Sequence, residues 1–104
     1  MPSAPHSRNP QLTDQAERDL DEIEDYISQD NPQAAGRLLL RLREVFLTLS
    51  EQPYMGRARP EFGLELRSFA VSNTRYVIIY RPIDTGIEII HVRQGSQNLR
   101  RLFE

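Results

Sequence analysis

Apolar residues recur at three- and four-residue steps through the first half of the chain, and this spacing predicts two helices. The first runs from Thr13, a suitable N-cap, to about Asp30. The second follows at once, with Asn31 as its N-cap and Pro32 at its first position. The short junction between them predicts an antiparallel helical hairpin. Its apolar stripes are Ala16, Leu20, Ile23 and Ile27, then Ala35, Leu38, Leu39, Leu42, Val45, Phe46 and Leu49.

In the second half the pattern shifts to β-branched and aromatic runs between short turns. Residues 52–63, with two prolines and two glycines, are predicted to be a loop without regular structure. Three strands follow, at Glu65–Val71, Arg75–Arg81 and Gly86–Arg93. The turns at 72–73 and 82–86 are short enough for an antiparallel meander. The predicted fold is therefore α+β, with a helical hairpin packed on a three- to four-stranded antiparallel sheet.

The predicted sheet is apolar on both faces, unlike a sheet with one face in water. By strand parity, Tyr76, Ile78 and Tyr80 point to one face, and Val77 and Ile79 to the other. On the last strand, parity likewise predicts that Ile87, Ile89 and His91 point to one face, and Ile90 and Val92 to the other. The hairpin covers one face only. The other needs the C-terminal segment (Leu99, Leu102 and Phe103), a partner protein, or both.

Composition narrows the class of protein. The 104 residues make one small domain, predicted to span 11–104 after a flexible N-terminal arm at 1–10. No cysteine is present, and no run of apolar residues reaches the length of a membrane span. We therefore expect a cytoplasmic protein without membrane association. The net charge of −2 hides an asymmetry: residues 1–36 carry −6 and residues 37–104 carry +4, and every cation is arginine.

Groups for acid–base or metal chemistry are scarce. His6 lies in the predicted arm, and His91 is an isolated strand histidine, more typical of packing than of catalysis. The acids of the first helix are interpreted as a solvated surface. We expect no metal site, no cofactor and no catalytic residue. Arginine forks suit phosphates and carboxylates, so RNA or an acidic protein surface are the expected ligand classes. For Arg67 and Arg81, hydrogen bonding to loop carbonyls is an equally good interpretation.

The order of elements and four phrases resemble the ParE-like toxins of bacterial toxin–antitoxin modules, within the RelE/ParE superfamily. The resemblance covers about residues 11–103. It implies the hairpin-on-sheet fold, often with one more strand before the first helix, here at Ser7–Leu12. Pro10 fits such a strand only at a sheet edge. The phrases are LTDQAERDLDEIEDYI, PYMGRARPEFGLELRSF, RYVIIYRP and GIEIIHVRQGSQNL.

The resemblance also implies a cognate antitoxin that wraps the toxin and that alone links it to operator DNA. Apolar surface on the hairpin and the sheet is the expected antitoxin contact. The candidate residues are Leu20, Ile27, Leu39, Phe46 and Ile79.

Two targets are known in the superfamily: ParE-like members poison DNA gyrase, and RelE-like members cut mRNA on the ribosome. The expected RelE-type tyrosine position falls near Phe103, which has no hydroxyl, and no arginine follows Gly95 closely. The sequence therefore favours gyrase inhibition by binding, with the mRNA endonuclease as the alternative. The residues expected to bind the target are Arg59, Arg67, Arg81, His91, Arg93, Gln97, Arg100 and Phe103.

Overall fold

A computed structural model describes residues 9–96 and 98–103 of the chain. Its elements follow the order β, α, α and then four strands. β1 spans Asn9–Leu12, α1 Asp14–Ser28, α2 Pro32–Glu51, β2 Arg57–Ala58, β3 Arg67–Ala70, β4 Tyr76–Ile83 and β5 Gly86–Gln94. A short 3-10 helix at Leu99–Phe103 follows β5. Within the described residues, neither α-helix is long and apolar enough to cross a membrane.

Both helices begin where their capping residues predict. The Thr13 hydroxyl accepts a hydrogen bond from the Ala16 amide at 3.0 Å, and the Asn31 side chain accepts one from Ala34 at 3.0 Å. Pro32 occupies the first position of α2, where a missing amide hydrogen costs nothing. The predicted helical hairpin is confirmed.

The sheet has five strands in the order β1-β5-β4-β3-β2, more than the three or four predicted. β1 pairs parallel with β5, so the sheet is mixed and not purely antiparallel. Pro10 is accommodated because β1 is an edge strand. Asn9 and Pro10 belong to this strand, as the family resemblance implied with a strand at Ser7–Leu12, and not to the flexible arm predicted at 1–10. Residues 1–8 lie outside the described residues.

Two loop predictions need correction. β2 lies inside the predicted loop 52–63, where Arg57 and Ala58 pair with Ser68 and Arg67 of β3. β4 continues through Pro82 to Ile83, so the turn before β5 is confined to residues 84–85. In both places the cross-strand partner overrides a local signal for irregular structure.

A β-bulge in β5 changes which face its side chains point to. Ile79 pairs with His91 but Tyr80 pairs with Ile89, so Ile90 is an extra residue. Beyond the bulge the alternation is inverted. Val92 joins Ile87 and Ile89 in the helix-side core, and His91 faces the other side of the sheet. Parity predicted the opposite for both residues, because nothing in an apolar run reveals an inserted residue.

The sheet separates two apolar cores. The larger lies between the sheet and the helical hairpin and includes Leu42, Phe46, Ile78 and Tyr80. The smaller lies on the opposite face, which we call the second face, and consists of Phe62, Leu66, Ile79 and Leu99 with partly buried neighbours. The parity prediction for β4 is therefore confirmed.

Candidate target-binding surface

The second face is covered by the chain itself. Phe103, at the end of the 3-10 helix, stacks on Phe62 from the β2–β3 loop with ring centroids 5.2 Å apart. Leu99 and Leu66 complete the cover, and Ile79 beneath them is 0% exposed. The foldback of the C-terminal segment was one of the predicted alternatives, but the contribution of the loop was not foreseen. This face therefore needs no partner to bury its centre.

A groove of about 580 Å³ opens beside this cover, between the β2–β3 region and the 3-10 helix. Its floor includes Ser68, Ala70 and Val77, and three arginines line it: Arg57, Arg59 and Arg100. They come from two segments more than 40 positions apart, brought together because β2 pairs with β3 while the 3-10 helix folds back across the sheet. We call this the basic groove.

Arg59 is the anchored member of the groove. Its Nε donates to Glu61 at 2.7 Å, its Nη1 donates to the Ser68 hydroxyl at 2.9 Å, and its guanidinium lies 4.2 Å from the Phe62 ring centroid. The hydrogen bond from Arg59 lowers the pKa of Glu61, with help from that residue's own backbone amide. Arg59 is thus largely committed to holding the loop in place.

Arg57 and Arg100 are exposed and form no ion pair or side-chain hydrogen bond with the other residues that the structure describes. Each presents a full guanidinium fork to an incoming carboxylate or phosphate. Arg57 is not among the residues that the sequence analysis expected to bind the target. Its position became meaningful only once β2 placed it opposite the tail.

Arg67 and Arg81 lie outside the basic groove and brace the fold. Arg67 donates to the carbonyl oxygens of Gly56 at 2.6 Å and Tyr54 at 3.3 Å. Arg81 is paired with its cross-strand neighbour Glu88 at 2.8 Å. The loop-carbonyl interpretation therefore holds for Arg67, whereas Arg81 uses a carboxylate.

Asp19 is the residue that the sequence interpretation missed. It was counted among the solvated acids of the first helix, yet it is 2% exposed. Its carboxylate accepts hydrogen bonds from the Val92 amide at 3.0 Å and from Gln15 at 2.9 Å. It also lies 3.2 Å from Arg93 Nη2 and 3.3 Å from His91 Nδ1. A buried carboxylate needs this many partners to offset its lost hydration.

The Asp19 cluster reaches the tail through His91. The imidazole is 12% exposed and meets the Phe103 ring edge-on, with centroids 5.6 Å apart. His91 is therefore a packed residue, as its isolation in the sequence suggested. His91 and Arg93 lie by Asp19 at one edge of the sheet, whereas Arg59 and Arg100 line the basic groove; Gln97 is outside the described residues.

The candidate antitoxin contacts divide by burial. Leu20, Phe46 and Ile79 are at most 3% exposed, so they cannot touch a partner of the folded chain, and this prediction is corrected. Ile27 and Leu39 are partly exposed. The sequence pattern identifies the apolar positions of a helix, but it does not show which of them are fully buried and which lie at the edge of the apolar stripe. The large exposed apolar side chains on the hairpin are Tyr26, Leu40 and Leu47.

Among the described residues, no group of three or more His, Cys, Asp or Glu side chains is arranged to hold a metal ion.

The model of the family described as ParE toxin of type II toxin-antitoxin system, parDE, matches residues 11–99. The protein named Putative toxin Y4kP, from Sinorhizobium fredii, is 36% identical over 80 residues, which are 77% of this chain and 80% of that protein. Toxin RelE2 of Caulobacter vibrioides is 37% identical over 79 residues, which are 76% and 85% of the two chains.

The fold has a counterpart among solved structures. A chain in the structure of the chromosomal ParDE TA system from P. aeruginosa superposes with a TM-score of 0.71. The match covers 86% of this chain and 97% of that chain, at 22% sequence identity. At this identity the match establishes the arrangement of the helices and strands.

Proposed function

Because the chain belongs to the ParE toxins of type II toxin–antitoxin systems, we propose that it inhibits DNA gyrase by binding and that a cognate antitoxin neutralises it. The basic groove is the surface that contacts the target. The toxin breaks no bond itself; inhibition follows from occupying and trapping the gyrase–DNA complex.

The observation that carries this proposal is the pair of exposed arginines, Arg57 and Arg100, which line the basic groove and have no ion-pair partner within the described residues. Holding two guanidinium groups near each other costs electrostatic free energy, which an anionic ligand recovers. A gyrase–DNA complex offers such ligands as acidic side chains and DNA phosphates. The neighbouring apolar cover, with Phe103 stacked on Phe62, adds contact area beside the charges.

The chemistry of the groove supports binding over cleavage. Glu61 is the one carboxylate that lines it within the described residues, and its pKa is lowered by the Arg59 hydrogen bond, which disfavours proton donation at neutral pH. His91 is held by Asp19 and packed against Phe103. Arginine does not act as a general base near neutral pH.

The antitoxin contact is expected on the helical hairpin, away from the basic groove. Tyr26, Leu40 and Leu47 are 54–66% exposed and lie on helices whose other apolar residues are in the core. Aromatic side chains such as Tyr26 are enriched in the centres of protein–protein interfaces, and the two leucines add apolar contact area. Binding there leaves the groove free to be blocked by a further stretch of the antitoxin.

Supercoiling of a relaxed plasmid by purified gyrase tests the proposal. We expect the toxin to inhibit supercoiling, to accumulate cleaved DNA complexes, and to lose both effects when the antitoxin encoded beside it is added first. Unchanged supercoiling at a large molar excess of toxin would contradict gyrase as the target.

The second candidate is a ribosome-dependent mRNA endonuclease, favoured by the similarity to a relative named Toxin RelE2. It predicts cleavage of ribosome-bound mRNA in a purified translation system and no effect on gyrase. Induced expression separates the two in cells. Gyrase poisoning gives a DNA damage response, whereas mRNA cleavage gives immediate arrest of protein synthesis.

A further inference from the structure

The outer edge of β5 is only half covered. β1 pairs with it from Gly86 to Ile89 and then ends at Leu12, where the chain turns into α1. The next outward-pointing amide, that of Val92, donates to the Asp19 carboxylate, which takes the place of a strand partner. The Asp19 side chain thus satisfies the Val92 amide, and the outer edge of β5 continues beyond that residue.

Alternation along β5 identifies the groups that follow. The Val92 amide points away from β4, and the Gly95 amide points towards it, because it donates to the Arg75 carbonyl at 2.8 Å. Gln94, two residues after Val92, therefore directs its amide and carbonyl outward, as Val92 directs its carbonyl. Within residues 9–96 and 98–103, the outward-pointing Gln94 amide donates no hydrogen bond.

A groove of about 300 Å³ lies directly beside this edge. Tyr26 and Ile23 of α1 form one wall, Tyr76 of β4 and Gln94 of β5 the other. Tyr26 is 66% exposed and also borders an adjoining groove that runs past Ile27 and Leu38. Aromatic walls beside unpaired main-chain groups are the features by which an added strand is held: hydrogen bonds align it, and pockets take its alternate side chains.

Arg93 supplies a further requirement. Its Nη2 holds Asp19 at 3.2 Å, while its Nε is buried without a hydrogen-bond partner among the described residues. The side chain as a whole is 26% exposed, so an oxygen brought by a ligand can lie against its accessible part, next to the free part of the strand edge.

We infer that an extended segment of the antitoxin adds to the sheet at Val92–Gln94, along the same edge of β5 on which β1 pairs and then ends. Its amide donates to the Val92 carbonyl, its carbonyl accepts from the Gln94 amide, an apolar side chain enters between Tyr26 and Tyr76, and a main-chain or carboxylate oxygen lies against the accessible part of the Arg93 side chain. This inference rests on the proposed neutralisation by an antitoxin and names the strand edge through which it acts.

A second copy of the chain fits this edge poorly. A symmetric antiparallel pairing centred on Arg93 would place the two Arg93 side chains directly opposite each other, and like charges in that position are destabilising. A different peptide can put an acceptor there instead. The mixed charges of the rim, with Glu22 on α1 and Arg93 on β5, also suit a heterologous segment of fixed direction.

Gln94→Pro tests the inference with little risk to the fold. Proline removes the Gln94 amide, which bonds to no residue in the part of the free chain that the structure describes, and an outward position on a strand edge tolerates its ring. The matched control is Gln94→Ala, which removes the side chain and keeps the amide. Against the antitoxin encoded beside the toxin gene, we expect about tenfold weaker binding for Gln94→Pro, and a change of less than about twofold for Gln94→Ala.

Equal affinities for the two variants would overturn the inference. Amide hydrogen exchange gives a second measurement on the unmodified chain, should the proline variant fail to fold. We expect the Gln94 amide to exchange at least about tenfold more slowly in the complex than in the free toxin. An unchanged rate in a formed complex would overturn the strand addition.

The failure of this inference is distinguishable from that of the proposed function. If the antitoxin abolishes gyrase inhibition while Gln94→Pro binds it normally, the strand contact is wrong and neutralisation stands. If the unmodified toxin binds no antitoxin, the proposed neutralisation fails with it.

Discussion

The two faces of the sheet are both apolar at their centres, yet they are covered in different ways. The helix-side face meets two amphipathic helices, and its core includes Leu42, Phe46, Ile78 and Tyr80, each at most 1% exposed. The second face meets one loop and a short 3-10 helix, held by Phe62, Leu99 and Phe103. A light cover of this kind leaves room for arginines around its rim, and the basic groove lies there.

Because of this difference, we expect substitutions on the helix-side face to lower stability and substitutions at the rim of the second face to affect recognition. Residues of the helix-side face are surrounded by other apolar atoms, so any truncation leaves a cavity. Residues at the rim of the second face touch water on one side and can be changed with little effect on folding. The proposed antitoxin edge at Val92–Gln94 lies at a third place, so we expect the antitoxin and the target to engage different parts of the chain.

The largest difference between the faces is expected for truncated phenylalanines. Phe46→Ala removes a ring that is 1% exposed in the helix-side core and should lower the free energy of unfolding by about 3–5 kcal/mol. Phe103→Ala loses a half-buried ring and its two aromatic contacts, with Phe62 and His91, at an expected cost of about 1–2 kcal/mol. Urea unfolding of both variants measures the two values. Equal losses would mean that the second face is as integral to folding as the first.

The next effect concerns the buried carboxylate at the junction of the two regions. Asp19→Asn keeps an acceptor for the Val92 amide but removes the charge facing Arg93 and His91, so a loss of about 1.5–3 kcal/mol is expected. Asp21→Asn, on the exposed side of the same helix, is the control and should change stability by less than about 0.5 kcal/mol. If both asparagine variants unfold at the same urea concentration, Asp19 has no special role.

A smaller, pH-dependent effect is expected at Tyr80. Its hydroxyl donates to the Pro53 carbonyl and accepts from the Gly56 amide, each at 2.8 Å. Burial raises the pKa of this phenol above its ordinary value of 10.0. A folded-state pKa above the unfolded one means that the contribution is complete below about pH 10 and is lost as the pH rises through the folded value.

Tyr80→Phe should therefore lower stability by about 1–2 kcal/mol at neutral pH, and the difference from the unmodified chain should shrink above about pH 10. Unfolding curves recorded between neutral and alkaline pH measure this difference. A gap that stays constant across that range would show that the phenol does not titrate in the folded chain as described.

Much of the fold could be predicted because its signals are local. The caps Thr13 and Asn31, the helical stripes and the alternation of β4 each follow from residues within a few positions of one another. The bulge at Ile90, the parallel pairing of β1 and the two-residue strand at Arg57 depend on distant partners, and the sequence missed or misplaced them.

The candidate site was harder to predict for the same reason. Of the arginines expected to bind the target, Arg59 and Arg100 line the basic groove, whereas Arg67, Arg81 and Arg93 hold structural partners. Asp19 looked like any other acid on a charged helix face. One signal was available: Asp19 is adjacent to Leu20 and one turn before Ile23 on the apolar stripe, where an acid needs a buried partner.

We propose that the basic groove binds the target while the rest of the chain holds it in place. Gyrase supercoiling assays with the double variant Arg57→Ser/Arg100→Ser test it most directly, with Arg37→Ser/Arg43→Ser on the exposed surface of α2 as a control of equal charge. The groove variant should be the least destabilised of those described here, by less than about 0.5 kcal/mol. We predict at least about tenfold weaker inhibition for it and unchanged inhibition for the control. Full inhibition by the groove variant, or equal loss in both variants, would show that the basic groove is not the surface that binds gyrase.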